Sequence, residues 1–407
     1  MLIEHNFYLE MNLHKIRKDF PILSSGMIYM DNAATSLTPK QVVCAEKEYY
    51  EKYNANIHRG VHKLSQAASQ HYESVYGKIA RLINAKPNEI IFTKNTTEGI
   101  NLIARGLKFK KGDKIVTTSL EHHSNFLPWL RLKNKGAELE IVNPDTDGIF
   151  DVSSFEKAID KHTKIVTVTH VSNVLGSILP VKEIGEIARE NDALFLIDAA
   201  QSVPHMNVDV KSINCDALAF SGHKMLGPTG VGVLYINEEV VNEISPLAIG
   251  GGSIDDVSLT DYKLTSPPER FEAGTPPIAQ VIGLGASADY LAEISFDAIE
   301  KHEKKLTAKA LNGLHEIKNI ETYGPCANKR IGVIPFNISN LNPHDAAAIL
   351  SDQNIMVRSG HHCCLPLMKE ILKKPEGVIR ASIYIYNTEE EIEKFVSVIE
   401  EIAQELG

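Results

Sequence analysis

Residues 194–236 read LFLIDAAQSVPHMNVDVKSINCDALAFSGHKMLGPTGVGVLYI, short apolar runs that each meet small, hydroxyl or charged residues at their ends. Such runs, bounded by turn formers and too short for a stable helix, predict strands at Leu194–Asp198, Ala217–Ser221 and Gly232–Tyr235. Upstream, the same kind of run recurs at Glu89–Thr93, Lys114–Thr118 and Lys164–His170. Between them lie stretches such as Val181–Asn191, where Ile184, Ile187 and Ala188 recur at helical spacing. This alternation across residues 86–236 predicts βα units, and hence an α/β domain with a mostly parallel sheet covered by helices on both faces.

Downstream, Pro267–Gln280 is loop-like, and from about residue 285 a long charged helical pattern leads into a different organisation. A strand at Ile331–Ile338, a helix opening near Asn342, strands at Ile355–Arg358 and Val378–Ile385 and a final helix suggest a smaller α+β module. The final helix opens on Thr388-Glu389-Glu390-Glu391, a capping-box pattern that puts acid at the positive end of the helix dipole. The expected division is an N-terminal segment, 1–30, packing with the small domain, a large domain, 31–285, and a C-terminal domain, 286–407.

A chain of 407 residues exceeds what one hydrophobic core usually supports. Hydrophobic residues make up 43% and charged residues 23%, with no apolar run long enough to span a bilayer. The first twenty residues lack the basic start, apolar core and small-residue cleavage site of a secretory signal, so a cytoplasmic protein is expected. Net charge is −10 and no Lys/Arg stripe interleaves with aromatics, which argues against nucleic acid as a partner and for a small molecule or another protein. Of the five cysteines, Cys44, Cys215 and Cys326 lie far from the Cys363–Cys364 pair, so reduced thiols are expected rather than a disulfide framework.

In open parallel sheets ligands bind at the carboxyl ends of the strands. After Glu89–Thr93 comes Asn95-Thr96-Thr97-Glu98-Gly99 and a helical pattern, which together offer free N–H groups and two hydroxyls to an anion such as phosphate. The plainer reading makes Thr96 or Thr97 only an N-cap. Asp198 closes its strand, with Gln201 following, where a poorly solvated carboxylate calls for a cationic partner such as a protonated pyridine nitrogen, unless it caps a turn or meets an arginine. Ser221-Gly222-His223-Lys224 puts a lysine at the next strand end, where a Schiff-base lysine could be held; a lone lysine is more often a solvated surface charge. Pyridoxal phosphate needs a lysine, a carboxylate for its ring nitrogen and a phosphate cradle, and the chain offers all three.

Glu121-His122-His123-Ser124 could set one imidazole, taken as His122, against a cofactor ring; the alternative is a pair of structural histidines. Arg358-Ser359-Gly360-His361-His362-Cys363-Cys364-Leu365-Pro366 invites a zinc reading. Structural zinc sites usually separate paired ligands by two or more residues, however, and no second ligand pair is present, so no metal is assigned. A thiol in a Gly-containing loop beside Arg358 and histidines is a better nucleophile than a buried core cysteine.

Together these segments resemble the group II branch of the cysteine desulfurases, within the aminotransferase class V family of fold-type I pyridoxal-phosphate enzymes. The motifs run from Tyr29-Met30-Asp31-Asn32-Ala33-Ala34 through His58-Arg59-Gly60, Thr96–Asn101, Glu121-His122-His123, His170-Val171-Ser172-Asn173, Ser221–Lys224 and Phe271–Pro276 to Arg358–Cys363 and Arg380-Ala381-Ser382. The resemblance implies a large domain built on a mostly parallel seven-stranded sheet and a smaller C-terminal domain carrying the cysteine loop. It also implies roles: Lys224 bonded to the cofactor, Asp198 at the pyridine nitrogen, Gln201 at the ring hydroxyl and His122 on the ring. Thr96, Thr97, Ser221 and His223 would hold the phosphate, and Thr275 would reach that of a neighbouring subunit in a homodimer.

Arg380 would bind the substrate carboxylate, with Asn173, Arg358 and His58 on the substrate side, and Cys363 would be the nucleophile. L-Cysteine would become L-alanine, with sulfur passing through a Cys363 persulfide to an acceptor or scaffold protein for iron–sulfur cluster assembly; L-selenocysteine is the alternative substrate. Cys364 departs from the pattern, which expects a small residue such as alanine there.

Overall fold

A computed structural model of the chain describes residues 11–406. The large sheet is formed by β1 (Ile90–Thr93), β2 (Lys114–Thr118), β3 (Glu138–Val142), β4 (Thr163–Thr169), β5 (Leu194–Asp198), β6 (Ala217–Ser221) and β7 (Gly232–Ile236). Their order is β1-β7-β6-β5-β4-β2-β3, seven strands. Only β7 runs against its neighbours, pairing antiparallel with β1 and β6, while the other pairs are parallel.

Successive side chains of a strand face opposite sides, and here both faces are covered. Val116, Val166, Ile197 and Phe220 enter the core under helices Lys63–Leu82 and Ile278–Ile294. Their neighbours Ile115, Ile165, Leu196 and Ala219 enter a second core with Ile100 and Ile103 of helix Thr96–Gly106. Gly99 lets that helix lie close on the sheet, since a Cβ there would sit 3.3 Å from the Cβ of Ala219. Burial on both faces explains why these strands read as apolar runs rather than alternating ones.

The smaller sheet is antiparallel, in the order Ile320–Thr322, Val333–Ile338, Val378–Ser382, Arg358–Gly360. Helices Phe296–Glu316, Pro343–Asp352 and Glu389–Leu406 cover it through Leu306, Leu314, Leu350, Phe395 and Ile399. The last helix opens on a reciprocal capping box: Glu391 N–H donates to Thr388 Oγ1 at 3.1 Å, and Thr388 N–H donates to Glu391 Oε2 at 3.2 Å. Strand Ile28–Tyr29 pairs parallel with Ile355–Met356, while Ile16, Phe20 and Leu23 join the large core. Residues 1–10 of the expected N-terminal segment lie outside the described residues. Helix Ile278–Ile294 runs unbroken through residue 285, and the chain changes direction at Ser295, φ 75°.

Strands β2, β5 and β6 have the predicted bounds, β1 and β7 differ by one residue at an end, and β4 is shifted by one residue at both ends. Three small-domain predictions were too long. Val378–Ile385 stops at Ser382, and the strand expected from Ile331 begins at Val333. Ile355–Arg358 divides into Ile355–Met356 and Arg358–Gly360, which join different sheets. The strands Glu138–Val142 and Ile320–Thr322 were not predicted; both lie at sheet edges and expose much of their length, which removes the apolar signal. Among the described residues no helix is long and apolar enough to cross a membrane.

Candidate active site

The residues just beyond the carboxyl ends of β1, β2, β4, β5 and β6 line a cavity of about 260 Å³. Its other wall comes from the smaller sheet and the loop that follows Gly360, through Arg358, His362, Cys363 and Arg380.

One end of the cavity is a hydroxyl-rich helix N-terminus. Asn95 is the N-cap of helix Thr96–Gly106, accepting from Glu98 N–H at 2.9 Å, so neither threonine is spent on capping. Thr96 donates its backbone N–H to Ser221 Oγ at 2.9 Å, and the two hydroxyl oxygens are 2.7 Å apart. Thr97 Oγ1 meets Ser124 Oγ at 2.7 Å. The positive end of the helix dipole, ringed by hydroxyls and His223, makes an anion cradle.

Asp198 is buried at the end of β5 and accepts from Ala200 N–H at 3.0 Å. Burial raises its carboxyl above the ordinary range, against the pull of Ala200 N–H and the Lys224 charge. Burial lowers the Lys224 ammonium to about 8, with Asp198 opposing. Gln201 donates Nε2 to Ala33 O at 2.7 Å, which fixes its amide orientation and leaves its buried Oε1 without a hydrogen-bond partner. His122 Nδ1 accepts from Ser124 N–H at 3.1 Å, so the neutral ring carries its proton on Nε2. Burial and the Lys224 charge push His122 down to about 3, and burial pushes His223 to about 4, so both rings are neutral near pH 7.

On the small-domain side, Arg358 and Arg380 are direct cross-strand partners. Like charges opposite each other repel, and Asp31 offsets them at 3.2 Å from Arg380 Nη2 and 3.8 Å from Arg358 Nη1. Arg380 is buried, donates Nη1 to Asn173 O at 2.8 Å, and keeps an unpartnered Nε. Burial lowers it to about 10, with Asp31 opposing. Asn173 in turn donates Nδ2 to His362 O at 2.8 Å, joining the arginine to the cysteine loop.

Cys363 is exposed, with φ 56°, while Cys364 is fully buried. The Cys364 thiol donates toward the carbonyls of Leu120 and Glu121, each 3.3 Å away, and burial pushes it well above its ordinary value. At the position where the resemblance expects a small residue, it packs away from the cavity. His361 and His362 donate to the carbonyls of Pro375 and Val378, at 2.6 and 3.1 Å, so neither imidazole is paired with a cysteine of the motif.

The cavity thus gathers Thr96, Thr97, His122, Asn173, Asp198, Gln201, Ser221, His223, Lys224, Arg358, Cys363 and Arg380, and leaves out two expected residues. Thr275 lines a different concavity with Lys94, Glu98 and Leu247. His58, at φ 69°, lies beside Glu73 and Tyr72, away from the cavity of its own chain. Asp31 was quoted among the motifs but given no role; its signal was a lone acid in a stretch whose neighbours are apolar or small.

A lysine facing a buried carboxylate at the end of a parallel sheet, beside a phosphate-type cradle, defines a class of fold, and comparison with known proteins agrees. Residues 28–395 match the family described as aminotransferase class-V, and the chain belongs to that family. It is 54% identical over 396 residues to a probable cysteine desulfurase of Pyrococcus abyssi, covering 96% of this chain and 98% of that one. A probable cysteine desulfurase of Methanothermobacter thermautotrophicus is 48% identical, with 97% and 98% covered. The apo structure of a cysteine desulfurase from Thermococcus onnurineus superposes with TM-score 0.94 at 53% identity, covering 97% of this chain and 99% of that one. That of an Escherichia coli cysteine desulfurase in an S-sulfonic acid form gives 0.91 at 30%, with the same coverage. Within the class V family, the chain falls among the cysteine desulfurases.

Proposed function

We propose that the chain is a pyridoxal 5'-phosphate-dependent cysteine desulfurase, which converts L-cysteine to L-alanine and takes the sulfur as a persulfide on Cys363. The observation that carries this reading is that Lys224 and Cys363, from different sheets, line one cavity.

The residues fit the cofactor. Asp198 is a buried carboxylate in need of a cationic partner, Gln201 holds a buried acceptor oxygen with no donor, and the hydroxyls of Thr96, Thr97 and Ser221 ring a helix N-terminus. Lys224 would hold the cofactor aldehyde, Asp198 its ring nitrogen, Gln201 its ring hydroxyl, His122 its face, and the cradle with His223 its phosphate. Bound there, the cofactor supplies an electron sink for carbanion chemistry at the substrate α-carbon.

The chain's own groups supply the rest. Arg380, steadied by Asn173 and Asp31 with Arg358 alongside, binds the substrate carboxylate. Lys224, lowered to about 8, holds a substantial neutral fraction near pH 7 to 8 and can take the α-proton. The Cys363 thiolate attacks the substrate sulfur; an S–S bond forms, the C–S bond breaks, and its electron pair stays with carbon, which is protonated to alanine. A second thiol, on an acceptor protein or a reductant, then removes the outer sulfur from the exposed Cys363.

The same reading makes the chain a homodimer in which Thr275 and His58 serve the partner's cavity, since both lie outside their own. The test is the absorbance spectrum of the purified protein before and after L-cysteine, with a reducing thiol present and both products assayed. A yellow band that shifts, with sulfide and alanine in equal amounts, is expected. A colourless protein that pyridoxal phosphate does not reconstitute would overturn the reading.

A further inference from the structure

Cys363 sits in a loop that the backbone alone would not hold. Gly360, His362 and Cys363 have φ of 108°, 50° and 56°, and the two non-glycine residues occupy the left-handed region that L side chains rarely adopt. Such a bend persists only where its surroundings fix it, and here, besides the Asn173 bond to His362 O, one short segment beside the large sheet does so. The backbone N–H of His123 donates to Cys363 O at 2.7 Å. The backbone N–H of Leu365 donates to His123 Nε2 at 3.1 Å. Between these two bonds, the Cys364 thiol reaches back to Leu120 and Glu121. Residues 120–123 therefore grip residues 363–365 at three successive points, across the boundary between the large sheet and the cysteine loop.

The grip defines the state of the imidazole. Nε2 accepts, so the ring is neutral with its proton on Nδ1. Burial, and secondarily the charge on His361, holds His123 below its ordinary value, which favours that form. His122 lines the cavity while His123 turns the other way, their ring centroids 6.3 Å apart. Two adjacent residues thus serve the cavity and the cysteine loop.

We propose that His123 is a positioning residue for sulfur transfer, holding the Cys363 loop in the left-handed pose that keeps its thiol on the cavity. This inference rests on the desulfurase reading and deepens it by assigning the second histidine of the pair. Removing the ring frees Leu365 N–H and takes away a side-chain bond that holds the loop on the far side of Cys363 from Asn173.

The test uses the holoenzyme and three variants, H123A, H123Q and, as the reference for a lost nucleophile, C363A. In H123A the yellow band and its shift with L-cysteine should be unchanged and KM near wild type, while kcat for alanine falls by roughly 10²-fold, the usual scale for a misplaced reactive group. Alkylation of Cys363 by iodoacetamide should speed up while that of the exposed Cys326 does not, and H123Q, whose amide oxygen can accept from Leu365 N–H, should recover most of kcat. Wild-type kcat in H123A, or no recovery in H123Q, overturns the proposal. Should H123A fail to fold, hydrogen exchange of the wild-type enzyme decides: a protected Leu365 amide supports the clamp, and exchange at the rate of an open loop overturns it. Exchange and alkylation read the loop without turnover, so they remain decisive if wild type makes no alanine, an outcome that sinks the desulfurase reading alone.

Discussion

Lys224 and Cys363 face the same cavity, yet the chain holds them by opposite means. Lys224 follows a central strand buried on both faces, with its neighbours fixed by sheet register and by two cores. Cys363 is an exposed residue on a loop of left-handed backbone, held by hydrogen bonds to His123 and, through His362, to Asn173. The difference matches the two tasks. A cofactor must stay put through many turnovers, and the end of a rigid central strand provides that. A thiol that carries sulfur must be reachable by a second molecule afterwards, so its support is local and its sulfur open to solvent.

The comparison can be broken at either end. The largest expected effect is at the rigid end: Lys224→Ala should lower alanine formation on the order of 10⁴-fold or more, measured by amino-acid analysis. Near-wild-type turnover would remove Lys224 from the chemistry. Cys363→Ala should lose on the order of 10³-fold with L-cysteine and yet keep the spectral shift on substrate addition, because binding is assigned to Lys224 and Arg380 and not to the thiol. Retention of full activity with cysteine would move the reaction to a lyase type in which sulfur, or the more labile selenium of L-selenocysteine, leaves without thiol attack. Arg380→Lys should raise KM for cysteine roughly 10-fold, with a smaller change in kcat, because an ammonium lacks the planar fork that pairs with a carboxylate.

Two smaller effects sharpen the contrast. Only the neutral amine of Lys224 can react with pyridoxal phosphate, and burial sets its ammonium at about 8. Loading of the cofactor-free chain should therefore quicken roughly tenfold per pH unit below 8 and level off above it, read by stopped-flow absorbance. A rate still climbing at pH 10 would mean that the lysine is solvated like any other. Cys364→Ala should cost only about 1 kcal/mol in denaturant midpoint, from a small cavity, and leave turnover nearly unchanged. A large loss of activity would give Cys364 a chemical role that its burial argues against.

The two ends also differed in how far the sequence disclosed them. Asp198, Ser221 and Lys224 were legible because strands buried on both faces write themselves as apolar runs, and a polar residue ending such a run stands out. The pairing of Arg380 with Asp31, separated by 349 residues, has no local signal and was not read. Nor was the grip of His123 on Leu365, 242 residues away. The edge strand Glu138–Val142 was missed for the same physical reason: four of its five residues are not buried, so nothing forces an apolar pattern on them. Thr275 and His58 were named from the resemblance alone, and both lie outside the chain's own cavity.

The central claim is that sulfur from L-cysteine comes to rest on Cys363 while Lys224 and the cofactor release alanine. The most direct measurement mixes the holoenzyme with L-cysteine without reductant, quenches it with an alkylating agent, and maps every cysteine peptide by mass spectrometry. The account predicts one added sulfur on the peptide bearing Cys363, in step with one alanine per chain, and none on Cys44, Cys215, Cys326 or Cys364. Alanine formed with no sulfur gained at Cys363, or with the sulfur on another cysteine, would contradict it.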